Sequence, residues 1–383
     1  MWLVALVFVG IPLAYIVSYG ITTTQAAIHG TAVVALLIGY LAIRTLCVAR
    51  PVFVLRLDTL AGEQVLKKLA IAMLLVMAAA TIPALNAMRS LGDDYRILFF
   101  VEQGDIFGFD RFGFFLQIFT EYLAIPLFAL ALGHGRDRGW RICLILWAVL
   151  GTTITLGRWY AFFALALFVL STDGNLGSRG KFRILLYCAG AAAAAVGGAI
   201  LFTCRGEECE ISGDLIVHGL TAGVAHYLYL PIEMVDAYKS TNAFSPNLFV
   251  GFIVYPFDLI GRFTGLYSVT YEYDKWGLLI QDYVHLPNIG SYNALVGQPL
   301  TSWVAAGLPG VALHYLVLGG LLGVRYQNSS IRHPLSTASG VTALASFFIP
   351  SLSGPMWLCT LVFYALLSTI AGRSWKRRSL ASA

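Results

Sequence analysis

The side chains suited to chemistry in this 383-residue sequence fall into four groups. Arg89, Arg96, Arg205 and Arg262 stand among acids beside apolar segments, and Arg158 lies inside one. A guanidinium is a planar fork of donors that fits two phosphate oxygens at once. A substrate with a diphosphate headgroup would need such a cluster. The plainer reading of any single one is an ion pair with a nearby acid such as Asp93, Asp94, Glu207 or Asp258. The second group could move protons: His218, His226, Glu233 and Asp236 share one amphipathic stretch, Asp282 and His285 another. A carboxylate or imidazole within reach of a hydroxyl can take its proton as a bond forms. Spacing does not choose among these residues, and solvated or helix-capping roles stand beside the catalytic one. The third group is aromatic. Tyr267, Tyr271, Tyr273, Trp276, Tyr283 and Tyr292 crowd the segment 264–292, where ring faces suit the C–H patches of sugars but also suit a membrane interface. The fourth is Cys204 with Cys209, bracketing a short acidic loop that a disulfide could close in an oxidising compartment.

Glu121 stands apart, inside an apolar run with Gln117 four residues earlier on the same helical face. A carboxylate there marks either a pathway or a partnered polar site. His29, His134, His314 and His333 are unclustered and read as structural. No phosphate-cradling glycine loop, dinucleotide fingerprint, HExxH or GxSxG occurs, so neither ATP coupling nor a metal or organic cofactor is encoded in a recognisable motif.

The elements that must position these residues follow from composition. Hydrophobic residues make up 58% of the chain and charged residues 12%, half the usual share, with mean hydropathy +0.76. That much apolar surface cannot hide in one soluble core, and the predicted class is all-α, a polytopic integral membrane protein. The net charge of +5 forms no basic stripe, which argues against nucleic acid as a partner. About 20 apolar residues cross the hydrocarbon. Qualifying segments lie near 1–19, 27–48, 66–87, 113–133, 183–203, 308–326, 335–351 and 355–372, with a special case at 142–171.

The blocks 44–68, 136–141, 173–183, 325–332 and 373–378 hold 17 Lys/Arg and 4 Asp/Glu, and read as cytoplasmic by the positive-inside rule. The blocks 89–111, 205–239 and 258–282 hold 7 and 15, and read as outer. Both termini then lie in the cytoplasm. The thirty residues 142–171 must go out and return; split at Gly157, each arm is short of the bilayer thickness, leaving Arg158 at depth or snorkelling to headgroups. Three regions are expected: an N-terminal bundle over 1–203 with about seven helices and an outer loop 89–112, an outer loop domain over 204–307 with amphipathic or re-entrant helices, and closing spans with a basic tail over 308–383. The span count is about ten, or twelve if 215–233 and 247–263 also cross.

Thr155-Leu-Gly-Arg158, the stretch Tyr227-Leu-Tyr-Leu-Pro-Ile-Glu-Met-Val-Asp236, and Ser291-Tyr-Asn-Ala294 followed by Gly307-Leu-Pro-Gly310 resemble the bacterial O-antigen polymerases, which are related in architecture to the O-antigen ligases. Ligases carry a His-Asn pair where this chain has Tyr292-Asn293, so a ligase-type histidine does not carry over. The resemblance covers most of the chain in hydropathy and implies a glycosyltransferase of the GT-C-like membrane type. It would polymerise undecaprenyl-diphosphate-linked oligosaccharide repeat units into O-antigen or a related surface polysaccharide at the periplasmic face of the inner membrane. The chemistry implied is metal-independent inverting transfer from a lipid-linked donor to a lipid-linked acceptor, with a chain-length regulator as a further partner. On this likeness Arg158, Arg262, Arg205 and Arg96 would hold the diphosphate, one of Glu233, His226 and Asp282 would activate the acceptor, and Tyr292, Asn293 and Trp276 would contact sugar. A lipid-linked saccharide transporter or flippase, and the ligase itself, are the alternatives.

Overall fold

The computed structural model describes residues 2–46, 60–91, 118–134, 138–155, 159–172, 224–238, 246–264, 275–276, 279, 284–286, 290–292, 296–324 and 333–381. In chain order these form α1 (Trp2–Tyr19, with a π turn at Leu6–Gly10), α2 (Thr23–Leu46), α3 (Leu60–Leu91), a π turn (Ile118–Tyr122) leading into α4 (Ala124–His134), α5 (Arg138–Thr155) and α6 (Trp159–Thr172). Then come α7 (Val224–Tyr238), α8 (Pro246–Phe249), α9 (Gly251–Thr264), strands β1 (Val284–Leu286) and β2 (Gly290–Tyr292), α10 (Gln298–Gly323), α11 (Pro334–Phe348) and α12 (Pro355–Ala381). The all-α class holds for the described residues apart from the small antiparallel pair β1–β2, in register Val284 with Tyr292. Four helices, α1, α2, residues 63–90 of α3, and α10, are long and apolar enough to cross a membrane, and shorter apolar helices accompany them. The segment 183–203, the outer loop 89–112 beyond Leu91, and the hairpin tip 156–158 lie outside the described residues.

Membrane helices are apolar on both faces. In α3 a stripe of Leu66, Ala70, Met73, Met77, Ala80, Ala84 and Met88 is buried while Leu75 and Ile82 remain exposed, a pattern suited to lipid. Contacts divide the chain into two compact units made of interleaved stretches, 1–46 with 178–324 and 342–358, and 47–177 with 325–341 and 359–383.

In the first unit α2 and α10 pack backbone against backbone. A Cβ on Gly39 would lie 2.0 Å from the Leu316 carbonyl oxygen, one on Gly319 2.1 Å from that of Leu36, and one on Gly323 2.6 Å from that of Tyr40. Only glycine permits such an approach, and small residues four apart are how helices without a hydrophobic drive between them associate in lipid. Leu36 meets Gly319 and Tyr40 meets Gly323, so the two helices run parallel. α10 is itself broken. Ala306 (φ −150°, ψ 18°) and Gly307 (φ 65°, ψ −162°) separate a first leg, 298–305, from a second, 308–323. The second leg agrees with the span expected at 308–326; the first is an extension that polar Gln298, Thr301 and Ser302 hide from a hydropathy reading. All three are buried, because they satisfy one another and their neighbours. Gln298 Nε2 donates to Ser302 Oγ (2.9 Å) and Ser353 Oγ (2.7 Å), its Oε1 accepts from the Leu352 and Ser353 amides, and Ser302 Oγ lies 2.7 Å from His314 Nδ1. Phe249 stacks on the His314 ring.

In the second unit Trp147 is fully buried against Phe128, and its indole N–H donates to the Thr120 carbonyl. The Tyr160 ring occupies the space a side chain at Gly151 would need, and its hydroxyl lies 2.9 Å from Thr120 Oγ1. The helices α5 and α6 end at Thr155 and begin at Trp159, on either side of the expected split at Gly157.

Candidate functional site

Helix α7 carries the carboxylates. Its buried face, Leu230, Met234, Val235 and Tyr238, joins Ile28 of α2, Leu248, Trp276, Leu286, Val296, Leu300 and Ala305 in one apolar core. Glu233 and Asp236, three residues apart, share a neighbouring face of the helix that meets the α1–α2 turn. Glu233 is 3% exposed, and Tyr15 of α1 donates to its Oε1 at 2.5 Å. Around it three rings form a cluster: Tyr229 meets Tyr15 edge-on at 5.5 Å and Tyr19 at 5.9 Å, and Tyr15 and Tyr19 tilt together at 5.5 Å.

Asp236 is held by the start of α2. Thr22 Oγ1 donates to one of its oxygens at 3.3 Å and Gln25 Nε2 to the other at 3.0 Å, while the same Gln25 amide reaches the Ile232 carbonyl at 3.2 Å. Thr22 and Gln25 also cap the helix reciprocally. The Gln25 backbone N–H donates to Thr22 Oγ1 and the Thr22 backbone N–H to Gln25 Oε1, the capping-box arrangement of Thr-x-x-Gln. A carboxylate beside the first turn of a 24-residue helix also lies at the favourable end of its dipole.

Such an arrangement can accept protons and hydrogen bonds. Glu233 is aimed by a phenol and screened from solvent by aromatic faces; Asp236, partly open, is fixed by two neutral donors. Among the described residues no three His, Cys, Asp or Glu side chains converge as a metal site, and Tyr15, Thr22 and Gln25 donate to this pair.

Of the residues singled out in the sequence, Glu233 and Asp236 are placed in this site. His226 lies in the first turn of α7, Arg262 in α9 and Tyr292 in β2, each with its side chain outside the described residues. Arg96, Arg158, Arg205, Asp282, Asn293, Cys204 and Cys209 lie wholly outside them. Trp276 corrects the expectation of a sugar platform. Its ring is fully buried in the α7 core against Tyr238, and its N–H donates to Thr301 Oγ1 at 3.0 Å, so no face is left for a ligand. Glu121 stands in a π turn with its charge within electrostatic range of Tyr160, and Gln117 lies outside the described residues. Tyr15, Thr22 and Gln25 were not among the expected site residues, although Thr22-Thr-Thr-Gln25 between two apolar runs is a sequence signature of a capped helix start. No protein-family model, curated protein or solved structure matches this chain.

Proposed function

We propose that the protein is a membrane glycosyltransferase that polymerises undecaprenyl-diphosphate-linked oligosaccharide repeat units, with Glu233 as the base that activates the acceptor. The observation that carries the reading is a buried, phenol-aimed carboxylate ringed by Tyr15, Tyr19 and Tyr229 where the α1–α2 turn meets α7. An acceptor sugar hydroxyl gives its proton to Glu233 as its oxygen attacks the anomeric carbon from the face opposite the leaving diphosphate. One glycosidic bond forms, one sugar–phosphate bond breaks, and configuration inverts. On the resemblance the departing charge would fall to arginines, foremost Arg158, which lies outside the described residues. Rings beside the carboxylate suit the apolar faces of sugars.

Parallel packing of α2 and α10 supports the topology on which this rests. The C-terminal ends of these helices lie on one side, and in the sequence Arg44 and Arg325 open the adjoining blocks that the positive-inside rule assigns to the cytoplasm. The α1–α2 turn and α7 then face the periplasm of a bacterial inner membrane, in a protein of about ten spans, or twelve, with a GT-C-like arrangement. A chain-length regulator would act beside it.

The break in α10 favours a second reading, a lipid-linked saccharide transporter, since broken helices line transport paths. Gene deletion separates the two: loss of the long-chain ladder on a gel, with a single repeat unit still capping lipid A, is the polymerase outcome, and loss of all capping is the transporter or ligase outcome. Glu233→Gln keeps an acceptor for Tyr15 but no base, and should slow chain extension by about 10²–10⁴-fold without loss of folded protein. Arg158→Ala should abolish extension and Arg158→Lys restore it poorly. Full ladders from Glu233→Gln would remove Glu233 from the mechanism.

A further inference from the structure

Helix α9 is built inside out. Ile253, Phe257 and Ile260, spaced by four and three residues, fall on one face and are 52, 59 and 50% exposed. On the opposite face Tyr255 and Asp258 are 5 and 4% exposed. A helix lying on a protein surface in water does the reverse, folding isoleucine and phenylalanine inward and presenting its carboxylate to solvent. Hydrocarbon inverts that preference, because apolar side chains face it at no cost and an acidic one must turn to protein.

The start of α9 lies at membrane depth. Phe249, which closes α8, stacks on His314 of α10 with ring centroids 4.1 Å apart. Phe252, in the first turn of α9, meets His314 at 6.5 Å and Trp357 of α12 at 5.0 Å. His314 stands about 9 Å along the apolar leg of α10 that begins at Leu308, and Trp357 about 3 Å along the apolar helix that begins at Pro355. Val317, one turn beyond His314 on the same face of α10, is exposed, as is Leu313 beside it. The surface on which α8 and α9 are seated thus runs on as bare apolar span. With 14 residues α9 is about 21 Å long, short of the roughly 30 Å needed to cross.

We propose that α9 lies within the leaflet nearest the α10 break, with Ile253, Phe257 and Ile260 against the acyl chains of membrane phospholipid and Tyr255 and Asp258 turned to the protein. The segment 247–263 then dips into the membrane without crossing it. Lipid fits this stripe better than a second copy of the chain, since three side chains fall far short of the roughly 20–30 residues a side that a stable protein interface takes. Neither Glu233 nor the reaction enters into this placement.

Photocrosslinking from single positions tests it. Full-length protein carrying p-benzoylphenylalanine at one position at a time is reconstituted in vesicles of tritiated phosphatidylcholine, irradiated and run on a denaturing gel. Ile253, Phe257 and Ile260 face outward, so their replacement leaves the packing intact; Leu75, exposed on α3, is the lipid-facing reference and Tyr255 the inward one. Tritium should join the protein band from Ile253, Phe257 and Ile260 as it does from Leu75, and should be lost at Tyr255. A band of twice the mass without tritium from Phe257 would put a second copy on the stripe. No tritium from any of the three while Leu75 labels would put water there. Either result overturns the proposal, and so does equal tritium from a Tyr255 variant that keeps the wild-type unfolding midpoint, since α9 would then have no fixed face toward lipid.

Discussion

Replacing Gly319 by alanine should weaken the protein through one contact whose size can be worked out. The new Cβ would stand 2.1 Å from the Leu36 carbonyl oxygen, whereas ordinary contact begins at 3.4 Å, so the α2 and α10 backbones must part by about 1.3 Å there. Neither side of the contact can rotate away, because the obstacle is backbone on a helix rather than the end of a side chain. Forcing one carbon into a packed interface costs about 1–3 kcal/mol. Alanine also gains up to about 1 kcal/mol over glycine in a helix, which confuses any single comparison. Gly30→Ala cancels that gain, since it lies on the partner helix with nothing within 4 Å of its Cβ. Gly320→Ala adds a graded case, its Cβ falling 3.2 Å from the movable Ile43 side chain. The three variants, unfolded by denaturant titration of purified protein in mixed micelles, should rank Gly30→Ala, Gly320→Ala, Gly319→Ala from most to least stable. The outer two should differ by about 1–3 kcal/mol. Gly319→Ala unfolding at the same midpoint as Gly30→Ala would refute the close parallel crossing, and with it the support that crossing lends to the topology.

Three further changes probe α10 and the core of α7 by the same titration. Gly307→Ala has room for its Cβ, the nearest atom being Pro309 Cδ at 3.7 Å, but φ 65° with ψ −162° suits glycine alone; a loss of about 1–3 kcal/mol is expected, and a neutral result would mean the helix is not broken there. Gln298→Leu removes the acceptor for two buried amides and the donor to two serines, and should cost about 1–3 kcal/mol for each group left without a partner; unchanged stability would show that first leg to be unanchored. Trp276→Phe should lose about 0.5–1.5 kcal/mol with the hydrogen bond to Thr301, and Trp276→Ala about 3–5 kcal/mol with the core; a Trp276→Ala protein as stable as wild type would reopen the residue as a ligand platform.

The long apolar helices could be read in advance because the signal is an average over some twenty residues. α1, α2, α3 and α11 begin and end within a few residues of the apolar runs, and α5 and α6 part around Gly157, where two short apolar arms had to meet. The first leg of α10 escaped the same reading for a definite reason. Gln298, Thr301 and Ser302 lower the local hydropathy as any outer loop would, and they are nonetheless fully buried because their partners, His314 and Ser353, lie 16 and 55 residues from Gln298. Hydropathy scores a polar group as though it faced water. A buried polar network is the case in which that assumption fails, and only the glycine and proline of Gly307-Leu-Pro-Gly310 mark the break locally.

The site was half legible, and the missing half has a common character. Sorting charges picks out Glu233 together with five other acids and histidines of the two amphipathic stretches, and nothing local separates them. What distinguishes Glu233 is Tyr15, 218 residues away, and what fixes Asp236 is Thr22 and Gln25, more than 200 residues away. These partners sit in a long segment without a single charge, residues 1–43, which a charge-based reading treats as anchor alone. At the edge of a bilayer that is where partners for a buried carboxylate belong. Tyr15, Thr22 and Gln25 bring a phenol, a hydroxyl and an amide to the two carboxylates and add no charge of their own to that segment. The charge-free turn between two spans is thus the complement of the acidic helix, and finding the one should direct attention to the other.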